Sequence, residues 1–197
     1  MPRKPRELSP TGVYHWISRG INRKNLFHGP KDYTFFLGLL GEYSKKLGIS
    51  VYHYCLMTNH IHLLIWAPDI DSLIQFSHFV KRRYAYYQSK EYKVSGATFD
   101  RMYRSKPVGG DIYLLECARY IDRNPLRAGL ARHPADYAYG SYRIYAVGCE
   151  SGLITKSPAY LALSQTEVER QKLYREYVTQ QLANRKTIDK LKDLIVK

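Results

Sequence analysis

The stretch Val51–Pro68, VYHYCLMTNHIHLLIWAP, constrains the fold more than any other part of the chain. Two apolar, β-prone runs flank Thr58-Asn59, the pattern of a β-hairpin that turns at or near those residues. His60 and His62, two apart in the second run, share one side of the sheet. Asn59, Ile61, Leu63, Ile65 and Ala67 make the other side, apolar enough to pack against helices. Two imidazoles side by side on a rigid strand suit a divalent metal ion. A His-x-His pair in a strand is also an ordinary structural arrangement, so spacing alone leaves the metal reading open. A two-residue turn would put Cys55 opposite His62 and Met57 opposite His60. Cys55 then reads either as a small buried residue or as a zinc ligand beside the histidines.

The remaining elements follow from local signals. Gly12–Arg19 (GVYHWISR) reads as a strand and Gly20–Lys24 as a basic loop. Gly29-Pro30 opens a helix carrying Phe36, Leu39, Leu40, Tyr43 and Leu47 at helical spacing, and Gly48 closes it. After the hairpin, Asp69 or Asp71 caps a helix running to about Tyr92. Arg101–Val108 reads as a further strand, and Asp111 caps a third helix through about Asn124, which Pro125 and Gly129 end. Ser164–Glu167 is a capping-box signature for a helix to about Ala183, and Thr187–Val196 forms a short amphipathic helix. This order predicts an α+β, ferredoxin-like sandwich, its mostly antiparallel sheet bearing helices on one face. Residues 1–10 form a basic arm, 11–148 the main domain and 149–197 a C-terminal helical extension.

Charge narrows the partner. Lys and Arg total 31 against 17 Asp and Glu, a formal net charge of +14. Such an excess favours a polyanion, nucleic acid before an acidic membrane surface. Nineteen tyrosines favour nucleic acid further, because aromatic faces interleaved with cations stack unpaired bases. Lys81-Arg82-Arg83 sits beside Tyr84, Tyr86 and Tyr87, and Arg101, Arg104 and Lys106 mark the fourth strand. These six are the candidate phosphate contacts, although a charge run is also what a solvated face looks like. Three cysteines without CxxC spacing do not suggest a disulfide framework. No apolar run is long enough to span a membrane and no signal-peptide core is present, so a cytoplasmic location is expected.

On the third helix Tyr113, Glu116, Tyr120 and Asn124 share a stripe, while Leu114, Leu115, Ala118 and Ile121 form the apolar face. Tyr120 and Asn124 are one turn apart on a helix that can lie near the histidine strand. A tyrosine hydroxyl is a weak nucleophile unless its electrophile is polarised. A divalent ion held by His60, His62 and the Asn124 side-chain oxygen would activate a phosphodiester for attack by Tyr120. Glu116 reads as an accessory ligand or base, or as a solvent-facing helix former, the second being preferred.

Three segments in order carry a family resemblance: YHWISRG (Tyr14–Gly20), YCLMTNHIHLLI (Tyr54–Ile65) and LLECARYIDRNPLRAGL (Leu114–Leu130). They resemble the single-tyrosine HUH transposases, in particular the REP-associated tyrosine transposase branch, over roughly residues 10–145. The resemblance implies His60 and His62 as the metal pair, Tyr120 as the nucleophile and Asn124 as the residue completing the metal site. It further implies cleavage and rejoining of single-stranded DNA near hairpins through a 5′-phosphotyrosine, with Mg²⁺ or Mn²⁺ as cofactor. Phe99–Val108 departs from the glycine-containing version of this strand in relatives, which bears on local DNA contacts more than on chemistry. The expected partner is single-stranded or hairpin DNA, with monomer and homodimer both open. Two other readings remain: a non-catalytic regulator of hairpin sequences, and a zinc-supported RNA-binding or RNA-processing module.

Overall fold

The computed structural model describes residues 7–100 and 102–179. Among them, β1 (Val13–Arg19), β2 (Ser50–Met57), β3 (His60–Trp66) and β4 (Arg104–Val108) form an antiparallel-paired sheet in the order β2-β3-β1-β4. With α1 (Pro30–Leu47) joining β1 to β2 and α2 (Ile70–Tyr92) joining β3 to β4, this is the ferredoxin-like βαββαβ arrangement. The hairpin turns at Thr58-Asn59, and Cys55 stands opposite His62 and Met57 opposite His60.

The period-two alternation of β1 and β3 gives the sheet two different faces. Trp16, Ile61, Leu63 and Ile65 are buried toward α1 and α2. Trp16 is fully buried, and its Nε1 donates to Ser77 Oγ of α2 at 2.8 Å, so the indole keeps a partner inside the core. α1 begins where Asp32 accepts from the backbone of His28 and Gly29, and it ends at Gly48 with φ +65°. Asp69 caps α2, its Oδ1 accepting from Ser72 N at 2.7 Å.

The opposite face carries His15, His53, Cys55, His60 and His62. It is covered by α3 (Asp111–Asp122), the single turn α4 (Asn124–Arg127) and later segments. The start of α3 differs from expectation. Gly110, at φ +82°, occupies the N-cap position and Asp111 is the first helical residue, because the chain needs a positive φ to turn out of β4. α3 also stops at Asp122, and Asn124-Pro125 opens the next turn.

Packing is continuous across residue 148. Thr155 N donates to Val51 O at the sheet edge. Tyr160 of α6 (Pro158–Leu161) and Tyr174 of α7 (Glu167–Thr179) are fully buried against Tyr145 of α5 (Tyr142–Ala146). Residues 1–6, Arg101, the continuation of the last helix to Ala183 and the Thr187–Val196 helix lie outside the described residues. Among the described residues no helix is long and apolar enough to cross a membrane.

Candidate active site

The histidine-bearing face and the end of α3 enclose a cavity of about 280 Å³. Its lining includes His60 and His62 from β3, Tyr120 from α3 and Asn124 from α4. The four residues singled out for chemistry therefore meet within one chain. Arg19, Asp100 and Arg104 add charge to the walls.

Each side chain is oriented by a specific contact. Asn59 Nδ2 donates to Arg23 O at 3.2 Å, which turns its Oδ1 toward His60 Nδ1, 2.7 Å away. An acceptor there makes His60 Nδ1 the protonated nitrogen and leaves its Nε2 lone pair unused. His62 Nδ1 lies 2.9 Å from His15 Nε2. Burial and then the guanidinium of Arg19 lower the pKa of His60. Burial, with His15, His60 and Arg19 nearby, holds His62 at about 2. Both imidazoles are thus neutral, the form that binds a metal.

Asn124 sits before Pro125, which has no N–H to offer the Ile121 carbonyl. Its Nδ2 instead donates to Tyr120 O at 2.9 Å and reaches Ile121 O at 3.5 Å. With the nitrogen so engaged, Oδ1 is the free end of the amide. Tyr120 is 39% exposed, enough for a large substrate to approach. Its ring meets those of His15 and His62 edge-on, with centroids 5.8 and 5.7 Å apart. The Arg127 guanidinium lies over the Tyr120 ring, 4.9 Å from the centroid.

Neutral imidazoles and an amide oxygen are groups able to ligate a divalent ion. Among the described residues no group of three or more His, Cys, Asp or Glu is arranged to hold a metal, so a third protein donor beside the two histidines would have to be of another kind, such as the Asn124 amide oxygen in the same cavity. Two imidazoles and one neutral oxygen would leave coordination positions open to water or a phosphate oxygen, unlike the four protein ligands of a closed structural zinc site. Cys55 does not join them. It is buried, its Sγ lies 3.5 Å from Met57 Sδ, and burial raises its thiol pKa far above the usual value.

Glu116 does not line this cavity. It lines a neighbouring one with His15, Lys106 and Cys117, and it is half-buried beside Tyr177 of α7 rather than solvent-facing. Of the basic candidates, Arg104 lines the site and Lys106 the neighbouring cavity. Lys81 donates to Asp100 O at 3.1 Å and lies 5.2 Å from the Phe99 ring centroid, so its ammonium is engaged within the fold. Arg82 and Arg83 are exposed, and Arg101 lies outside the described residues. Sequence reasoning passed over His15, Asn59 and Arg19. Alternation along YHWISRG puts His15, Ile17 and Arg19 on one face, which was the available signal.

The cavity brings a His-x-His strand and a helical tyrosine together, and comparison with known families makes the chain a transposase. The chain belongs to the IS200-like transposase family, whose model (Transposase IS200 like) matches residues 10–124. A solved structure, "Structure of the REP associates tyrosine transposase bound to a REP hairpin", is similar in fold with a TM-score of 0.63 and 12% identity. The match covers 80% of this chain and 93% of that chain. A search of curated proteins gives no match.

Proposed function

We propose that this chain is a metal-dependent endonuclease and strand transferase that acts on single-stranded DNA beside hairpins. The observation that carries the reading is the shared cavity of His60, His62, Tyr120 and Asn124. Membership of a transposase family and a fold shared with a REP-hairpin-bound transposase support the substrate class.

His60, His62 and the Asn124 Oδ1 would hold Mg²⁺ or Mn²⁺. When bound, such an ion supplies Lewis-acid polarisation of a phosphate oxygen. The chain's own groups do the rest. Tyr120 Oη attacks the phosphorus and loses its proton to solvent, forming a Tyr–O–P bond. The P–O3′ bond breaks, and the departing oxygen takes up a proton to become a free 3′-OH. The 5′-phosphotyrosine left behind retains the bond energy that a later 3′-OH uses in the reverse step. Arg19 and Arg104 lend positive charge to the phosphate, and Arg127 steadies the tyrosine ring.

Incubation with Mn²⁺ and a labelled single-stranded hairpin library, followed by a denaturing gel, tests this. A covalent adduct should form in the wild type and vanish in Tyr120→Phe while binding persists. No adduct from either protein, with binding intact, would favour a regulatory DNA-binding protein. An adduct that survives the substitution would mean that another residue is the nucleophile.

A further inference from the structure

His15 has no part in the chemistry above. It lies on β1, where the register pairs it with Leu64 and pairs Ile17 with His62, so His15 and His62 are diagonal neighbours on one sheet face. Both are buried, 7% and 4% exposed. Their rings are stacked with centroids 5.1 Å apart, and His15 Nε2 is 2.9 Å from His62 Nδ1.

Two neutral imidazoles joined by one hydrogen bond have only two arrangements. If His15 Nε2–H donates, His62 accepts on Nδ1, carries its own proton on Nε2 and has no lone pair left for the cavity. If His62 Nδ1–H donates, His15 Nε2 accepts and the His62 Nε2 lone pair is free. Only the second arrangement lets His62 serve as a ligand.

We infer that His15 is a positioning residue of the metal centre, its Nε2 accepting from His62 Nδ1–H and holding His62 in the ligand-competent tautomer. This rests on the metal reading proposed above. Asn59 Oδ1 does the same for His60 from the hairpin turn. Each ligand imidazole thereby has its own acceptor, one from a turn and one from the neighbouring strand. Loss of such outer partners typically weakens metal binding about 10–100-fold.

The test uses the full chain as wild type, His15→Leu, His15→Gln and His62→Ala. Free Mn²⁺ is followed by electron paramagnetic resonance. Imidazole protonation in the Mg²⁺-saturated wild type is read from long-range ¹H–¹⁵N correlations. The expected results are His62 protonated on Nδ1, Mn²⁺ affinity about 10–100-fold weaker in His15→Leu, and most of it recovered in His15→Gln. Glutamine recovers it because its amide oxygen can stand where Nε2 stands. A His62 Nε2–H signal in the wild type overturns the inference, as does His15→Leu binding like wild type or equal losses in both His15 variants. If His15→Leu does not fold, the wild-type spectrum decides alone. No Mn²⁺ uptake by the wild type, or uptake unchanged in His62→Ala, overturns the metal reading itself, and the inference with it.

Discussion

Asn124 donates its side-chain amide to the carbonyl of Tyr120 at 2.9 Å. The candidate metal donor and the candidate nucleophile are thus tied to each other within one helical turn. The bond also orients the amide, leaving Oδ1 for the cavity. Asn124→Ala removes both the oxygen and the carbonyl cap and should weaken Mn²⁺ binding at least about tenfold, or 1.4 kcal/mol. Asn124→Asp keeps an oxygen, adds charge and should bind Mn²⁺ better than the alanine variant. Titration followed by electron paramagnetic resonance checks both, and wild-type affinity in Asn124→Ala would exclude Asn124 as a donor.

Acid should unfold the protein earlier than its carboxylates require. Burial, then Lys106, lowers His15 to about 4, and burial with neighbouring cations holds His62 at about 2. In the unfolded chain both titrate near 6.5. Below pH 6.5 the unfolded state therefore binds protons that the native state refuses, and stability falls as pH falls. Between pH 7 and 5 the pair should cost about 4 kcal/mol if both stay neutral, at about 1.4 kcal/mol per unit each below 6.5. Glu167, held at about 2 chiefly by Lys156 and Arg170 despite its desolvation, is felt only below about 4.5. Urea unfolding in metal-free buffer should show this loss, and His15→Gln should show about half of it. Equal stability at pH 7 and 5 would contradict neutral burial of the pair.

Arg104 lines the cavity on exposed β4, whereas Lys81 is engaged with Asp100. Arg104→Ala should therefore reduce the slope of log affinity against log salt for single-stranded DNA by about 0.7, one phosphate's share. Lys81→Ala should change the slope little and act mainly through stability. The reverse pattern in fluorescence-anisotropy titrations would move the DNA path onto α2.

Local periodicity explains which features could be read from the chain. The hairpin at Thr58-Asn59, the Gly48 stop of α1 and the Tyr120–Asn124 stripe each depend on residues a few positions apart. His15 needed something more, because its bond to His62 exists only once β1 is known to lie beside β3. Glu116 looked solvent-facing for the same reason, since Tyr177 covers it from much later in the chain. Lys81 read as a free cation until the segment around Asp100 folded back across it. What alternation cannot convey is which distant element closes over a given face.

The α7 contact on α3 gives the sharpest case of that long-range closure. Tyr174 OH donates to Asp122 Oδ2 at 2.6 Å. Asp122 is 3% exposed, and its Oδ1 is buried without a hydrogen-bond partner. Tyr174→Phe therefore strips a hydrogen bond from an already under-partnered buried carboxyl, at a cost of about 1–3 kcal/mol. For a chain of this size that is a fall in Tm of roughly 2–12 °C. Asp122→Asn should soften the penalty, because a neutral amide is less costly to leave short of partners. The two substitutions together should then cost less than the sum of each alone. Mn²⁺ affinity should hold in Tyr174→Phe, since neither residue lines the histidine cavity. Strict additivity by calorimetry would mean that the Tyr174–Asp122 bond contributes nothing to how α7 is held on the helix that carries Tyr120.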